Sequence, residues 1–174
     1  MKMNHRTGHR WLGAPLVLAL ALALMTSLAW ADGETGTVVV NSSNPLLQVK
    51  GTIGGTTKTV WAGTLYLQIT GGPRVNTFCT DLLHSISNGD QVVASSEEMD
   101  CRVRWLLLHY PPRANAADYQ NDTAPGRLPD VKKEMAARQA AVWYFSDGFV
   151  LLDASPTPHD VYTRTQEIIA AVQA

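Results

Sequence analysis

Apolar and polar positions follow two different periods along the chain, and the change between them falls near residue 95. From about residue 35 to residue 93, β-branched and apolar residues alternate with polar ones in short runs separated by turn residues, which is typical of strands. After residue 95, apolar residues recur at three- and four-residue spacing, which predicts helices. Strands followed by helices favour an α+β fold, with a mostly antiparallel sheet subdomain before a helical one.

The strand-like segments are bounded by glycine, asparagine or proline, and they span residues 37–40, 46–53, 57–69, 75–82 and 91–93. The segment 57–69 is predicted to be one long strand. Alternation along residues 75–82 places Cys79 on one face with Asp81, and Phe78 on the other. We therefore expect a strand to present Cys79.

The first predicted helix begins near Ser96. Ser95 and Glu98 have the spacing of a capping box, which satisfies free backbone N–H groups at the start of a helix, and two consecutive prolines end the helix. Its apolar surface extends around the cylinder to Leu108, so we expect deep packing. Residues 113–128 are rich in Ala, Asn, Asp, Pro and Gly, and predict a long surface loop.

The second predicted helix carries a glutamine on its apolar face. Asp130 is a good N-cap, and Gly148 suits the position just past the end of the helix. Gln139 shares a face with Met135, Val142, Trp143 and Ser146. An unpaired buried amide costs about 1–3 kcal/mol, so its side chain needs partners. Periodicity leaves two interpretations open: a core glutamine hydrogen-bonded to nearby backbone, or a glutamine whose amide carbon is used chemically.

The two ends of the chain carry separate signals. Three basic residues precede a nearly all-apolar stretch that ends in Ala29-Trp30-Ala31, a form that signal peptidase accepts. Residues 1–31 are therefore predicted to be a secretory signal peptide, which leaves one domain, residues 32–174, secreted or at the cell surface. A last helix is predicted from about His159 to the final residue. It has no cap, and truncation of a longer domain is one interpretation.

Charge and motifs exclude several classes of function. Removing residues 1–31 takes away three positive charges and no negative ones, which changes the formal net charge from −1 to −4. No basic patch remains for nucleic acid, and no second apolar run is long enough to cross a bilayer. Nucleotide-binding and zinc-binding motifs are absent from the sequence, so we expect neither a cofactor nor a metal. We also expect a monomer.

Two cysteines in an exported chain suggest a disulfide. A bond between Cys79 and Cys101 would give an extracellular binding or structural module in which Gln139 is a satisfied core residue. A Cys-His hydrolase using Cys79 with His84 or His109 is a weaker alternative, because no protease signature surrounds the cysteine.

Three segments of the chain together resemble the motifs of one protein family. Residues 138–143 read Arg-Gln-Ala-Ala-Val-Trp, residues 78–82 read Phe-Cys-Thr-Asp-Leu, and residues 102–112 form a leucine-rich stretch ending in Tyr-Pro-Pro. They resemble the TQxA(I/V)W motif, the aromatic-Cys-x-Asp segment and the Leu-rich helix of the bacterial thioester (TQXA) domains of surface adhesins. Arg138 departs from the pattern, because the family usually has threonine there.

The resemblance implies an internal thioester between Cys79 and Gln139. A thiolate held in contact with the glutamine carbonyl can displace ammonia. An amine on a target surface, such as a lysine side chain, would then displace Cys79 and become linked to Gln139 by an amide. Each molecule would react once, so the expectation is covalent capture in adhesion and not enzymatic turnover.

Other residues are assigned supporting roles under the same interpretation. Three aromatic neighbours are expected to wall off water and slow hydrolysis of the bond, namely Phe78, Trp143 and Tyr144. Asp81 and His84 are candidates for proton transfer, although a structural role is the more common one for such residues. Cys101 is expected to be a reduced thiol buried beside Trp105 and Leu108.

Overall fold

The computed structural model describes residues 34–93 and 99–174. The predicted signal peptide and the capping-box residues Ser95 and Glu98 lie outside these ranges. The α+β prediction is confirmed, because the described residues form antiparallel strands in the first half and helices mainly later. The strands are β1 (Thr35–Val39), β2 (Leu46–Ile53), β3 (Thr56–Gly63), β4 (Leu65–Ile69), β5 (Arg74–Thr77), β6 (Gln91–Val93) and β7 (Val150–Leu151). The helices are α1 (Cys101–His109), α2 (Ala116–Gln120), α3 (Val131–Ser146) and α4 (His159–Gln173).

The strands form two sheets, ordered β5-β4-β1-β6 and β3-β2-β7. The single strand predicted over residues 57–69 is wrong, since β3 and β4 belong to different sheets and separate after Gly63. Gly63 has φ +148°, and a Cβ there would lie 2.1 Å from the carbonyl oxygen of Pro45. The chain therefore crosses between sheets at a point where only glycine fits, while the β-branched pattern continues on both sides.

Helix α3 forms the centre of the core, packed against β2, β3 and α4. Its N-cap is Asp130, as predicted, whose carboxylate accepts the backbone N–H groups of Lys132 and Lys133. Residues 134–143 are all buried, so the helix has no solvent-exposed face through its middle. Gly148 follows the end of the helix with φ +71°, the left-handed conformation that glycine adopts most readily.

Helix α1 differs from its prediction. It begins at Cys101 with Asp100 as the N-cap, and Met99 and Asp100 are not helical, so the predicted start near Ser96 is wrong. Deep packing is also wrong: α1 buries only Val103 and Leu106, and Leu108 is 73% exposed. The helix contacts the body along a single face, and its leucine-rich sequence is more apolar than its burial requires. Among the described residues, no helix combines the length and hydrophobicity that a membrane span needs.

Candidate functional site

Cys79 lies where the chain leaves the first sheet. The ladder between β4 and β5 ends with Leu65 opposite Thr77, so the predicted strand 75–82 stops early and Cys79 follows it by two residues. Phe78 is 5% exposed and part of the core, which fixes the chain just before the cysteine. Cys79 itself is half-buried. Its backbone N–H and C=O lie beyond the ladder and therefore need partners from elsewhere.

The side chain of Gln139 supplies both partners. Its Oε1 accepts the backbone N–H of Cys79 at 2.9 Å, and its Nε2 donates to the Cys79 carbonyl oxygen at 2.7 Å. Gln139 is 1% exposed, so this pairing satisfies an amide that water does not reach. The structure thus brings together two residues that are sixty positions apart in sequence. The contacts join the carboxamide to the main chain of Cys79, not to its sulfur.

The thiol of Cys79 has its own surroundings. Its Sγ donates to the carbonyl oxygen of Asp81 at 3.1 Å. Burial raises the pKa of the thiol above its ordinary value, and the polar groups of the Asp81 main chain and the Trp143 indole lower it by less. The indole Nε1 of Trp143 is buried and has no full hydrogen bond within the described part of the chain. Its N–H dipole is thus available to a thiolate.

Cys79 opens into a groove of about 750 Å³, which we name the Cys79 groove. Trp143 lines the groove beside the cysteine, together with Asp81 and His84. The groove also reaches Val40, Asn41, Ser42, Asn44, Leu46, Lys58, Val60, Trp61, Leu65, Leu82, Leu83, Ser85, Ile86 and Lys132. The other two predicted aromatic walls do not line it. Phe78 faces the core, and Tyr144 packs edge-on against Phe145, with ring centroids 5.0 Å apart.

Asp81 and His84 form a pair at the mouth of the groove. Nδ1 of His84 lies 2.6 Å from Oδ2 of Asp81, and Oδ1 of the same carboxylate accepts the backbone N–H groups of Leu83 and His84. The hydrogen bond with His84 lowers the pKa of Asp81. Both side chains are exposed, so the pair is accessible to a ligand entering the groove.

Hydrogen bonds within residues 34–93 and 99–174 do not support the Cys-His hydrolase alternative. Neither His84 nor His109 forms a hydrogen bond with the Cys79 thiol. His109 stacks on Trp105 with ring centroids 3.9 Å apart, and its Nδ1 lies 2.8 Å from the Trp105 carbonyl oxygen. Within the same ranges, no cluster of His, Cys, Asp and Glu has the arrangement of a metal site.

Both cysteines are free in the structure. Cys101 is the first residue of α1 and is exposed, so its predicted burial beside Trp105 and Leu108 is wrong. The physical reason is the helix start at Asp100. A first-turn residue on a helix that packs through Val103 and Leu106 faces solvent, whatever its hydrophobicity.

A buried network of charges, which the sequence pattern does not predict, lies beside the site. Arg138 is fully buried, and its guanidinium donates to both carboxylate oxygens of Asp122, at 2.8 and 3.1 Å. It also donates to Glu134 at 2.9 Å and to the carbonyl oxygen of Pro111 at 2.7 Å. The residue that departs from the thioester motif is thus neutralised by a carboxylate from the predicted loop 113–128. That loop contains α2 and folds back onto α3.

Glu134 joins this network to helix α4. Its carboxylate accepts from Nε and Nη2 of Arg164 at 3.0 and 3.2 Å, and from the backbone N–H of Leu128 at 3.0 Å. Arg164 also donates to Glu167 and to the carbonyl oxygen of Pro125. The only local sign of this network in the sequence is the four-residue spacing of Glu134 and Arg138, and that spacing usually indicates an exposed ion pair on a helix.

No protein-family model, curated protein or solved structure matches this chain.

Proposed function

We propose that Cys79 and Gln139 form an internal thioester, and that the protein is a secreted or cell-surface adhesion module that captures an amine through this bond. The observation that carries the proposal is the double hydrogen bond between the Gln139 carboxamide and the Cys79 main chain. It holds a buried amide beside the only half-buried thiol among the described residues. The resemblance of the flanking segments to thioester domains supports the same pair.

Bond formation would proceed by attack of the Cys79 thiolate on Cδ of Gln139. The C–S bond forms, the C–N bond breaks, and the thiol proton leaves with the amide nitrogen as ammonia. The backbone N–H of Cys79 already donates to Oε1, so it stabilises the negative charge that develops on this oxygen. Because burial raises the pKa of the thiol, a smaller fraction of it is thiolate at neutral pH, and the nearby indole N–H of Trp143 favours the thiolate.

In capture, the C–S bond breaks and a new C–N bond forms. An uncharged amine, such as a lysine side chain, attacks the same carbon, the C–S bond breaks, and Cys79 leaves as a thiol after taking up a proton. The Asp81–His84 pair at the mouth of the groove accepts the proton that the ammonium group must lose before attack. Because the amide product is stable, each molecule reacts once.

Intact mass spectrometry of the purified protein tests this proposal. The thioester form should be one ammonia lighter than the sequence, and methylamine should add its own mass while freeing one thiol. Cys79→Ala and Gln139→Ala should each abolish both effects, whereas the matched control Cys101→Ala should preserve them. A protein lighter by two hydrogens would instead indicate the disulfide module, and an unmodified mass in fresh protein would refute the thioester.

A further inference from the structure

Strand β3 leaves one edge of its sheet open. It is the outermost strand of the order β3-β2-β7, and all eight of its residues pair with β2 on the other side. Within the described residues, its main chain makes no hydrogen bond outside that ladder. Half of its N–H and C=O groups therefore point away from the sheet without a protein partner, which is the arrangement to which another strand adds.

The open edge borders the Cys79 groove. The groove contacts Lys58, Val60 and Trp61 of β3. Val60 and Trp61 are consecutive, so their side chains leave the sheet on opposite faces. A groove lined by both residues reaches the open edge of β3. Trp61 is 61% exposed, an unusual exposure for a large aromatic side chain.

We propose that this edge binds an extended polypeptide segment of the target as an additional strand, and that the segment thereby presents its lysine to Cys79 and Gln139. The inference rests on the proposed function, because it names the substrate of that site. Main-chain pairing along β3 would supply affinity, and side chains alternating into the groove would supply selectivity. A free amine lacks both interactions and should react more slowly.

The charges and apolar residues of the groove define the chemistry of that segment. The ionised carboxylate of Asp81 lines the groove with Cys79, and it attracts the ammonium group of an incoming lysine. Lys58 and Lys132 line the same groove and favour an acidic residue elsewhere in the segment. Exposed Trp61, with Leu83 at 64% and Ile86 at 38% exposure, favours apolar neighbours. The expected target is an extended segment that combines one lysine with apolar and acidic residues.

The test compares two peptides of about ten residues, the length of a long strand. The first has a central lysine between alternating valine and threonine, with glutamate near each end. The second has the same sequence with backbone N-methyl groups at alternate positions, which remove donors and block strand pairing. Intact mass measures the rate of adduct formation, with methylamine as the reference amine. We expect the unmethylated peptide to react about tenfold faster than the N-methylated one, which corresponds to about 1.4 kcal/mol of main-chain pairing.

Protein variants locate the effect on β3. Trp61→Ala should lower the ratio of peptide rate to methylamine rate about tenfold. The matched control Leu108→Ala, at an apolar residue on α1 that is also largely exposed, should leave the ratio unchanged. Equal rates for the two peptides, with normal methylamine capture, would overturn strand addition and leave Lys58 as a charge that protects a bare edge.

A non-covalent measurement separates this inference from the thioester. Fluorescence anisotropy of the labelled unmethylated peptide with Cys79→Ala protein reports docking without reaction. If wild-type protein captures no methylamine, the thioester fails. Binding that N-methylation and Trp61→Ala both weaken would still establish the docking edge, and absence of binding would overturn it.

Discussion

Arg138→Met is the perturbation for which the structure sets the clearest magnitude. The guanidinium is fully buried and makes four hydrogen bonds, two of them to Asp122. Methionine fills much of the same volume but cannot donate. It leaves the Pro111 carbonyl unpaired and Asp122 with only the partly exposed Arg113 as a cationic partner. Removing one member of a buried ion pair costs about 3–5 kcal/mol. This loss approaches the whole stability of a marginal domain, about 5 kcal/mol.

Urea denaturation followed by circular dichroism measures this loss as a fall in the midpoint at unchanged slope. The matched control is Arg104→Met, at an exposed position on α1, which should change the free energy of unfolding by less than about 0.5 kcal/mol. The double variant Arg138→Met/Asp122→Asn should lose less stability than the sum of the losses of the two single variants, because both substitutions remove the same interaction. A loss below about 1 kcal/mol for Arg138→Met would refute the claim that this network anchors residues 111–122 to α3.

Four further outcomes follow from individual contacts. Burial raises the pKa of Asp122, but its hydrogen bonds with Arg138 outweigh this effect and bring the pKa to about 2. Because the pKa is lower in the folded state than in the unfolded state, the ionised carboxylate should contribute about 2 kcal/mol of stability above pH ~4. This contribution should be lost between pH ~4 and ~2, which urea midpoints measured across that range would show. Gly63→Ala should destabilise by more than about 1 kcal/mol in the same assay, because its φ is +148° and its Cβ would meet the Pro45 carbonyl. Phe149→Ala, at a fully buried position, should cost about 3–5 kcal/mol in thermal or urea unfolding. Because the pKa of Cys79 is raised, the rate of thioester formation during refolding, followed by mass, should rise about tenfold per pH unit between pH ~6 and ~8.

Local signals in the sequence were sufficient for the central helix. Asp130 and Gly148 act through neighbours two to five residues away, so the start and end of α3 could be predicted from the sequence. The start of α1 could not, because serine and aspartate are both good N-caps, and only the folded chain shows that this helix begins after Asp100. The break between β3 and β4 was also hidden. It depends on the approach of Pro45 to Gly63 from another segment, and local alternation carries no trace of that contact.

Long-range contacts explain what the sequence did not show about the site. Periodicity placed Gln139 in an apolar stripe but left its partner open, and only the motif resemblance suggested Cys79. The structure supplies a partner in the Cys79 main chain. In the sequence, Arg138 is visible only as a departure from a motif. Its compensating carboxylate, Asp122, lies sixteen residues upstream in a segment that the sequence predicts to be a loop. Buried charge is identified by its partners, and these come from distant parts of the chain.

The two interpretations of Gln139 use the same pair of hydrogen bonds in different ways. As a core residue, the carboxamide satisfies the N–H and C=O of Cys79, and both bonds stabilise the unreacted protein by about 1 kcal/mol each. Thioester formation removes the NH2 group, so the Cys79 carbonyl loses its donor, while the N–H of Cys79 keeps an acceptor in the remaining carbonyl oxygen. The bond that survives is the one that polarises the carbon an amine must attack. The hydrogen bond that is lost leaves the Cys79 carbonyl without its donor in the thioester form. Release of ammonia to solvent must therefore drive thioester formation. The backbone N–H of Cys79 therefore has two roles. Its hydrogen bond to Gln139 satisfies the main chain just after β5, and the same hydrogen bond activates the Gln139 side-chain carbonyl.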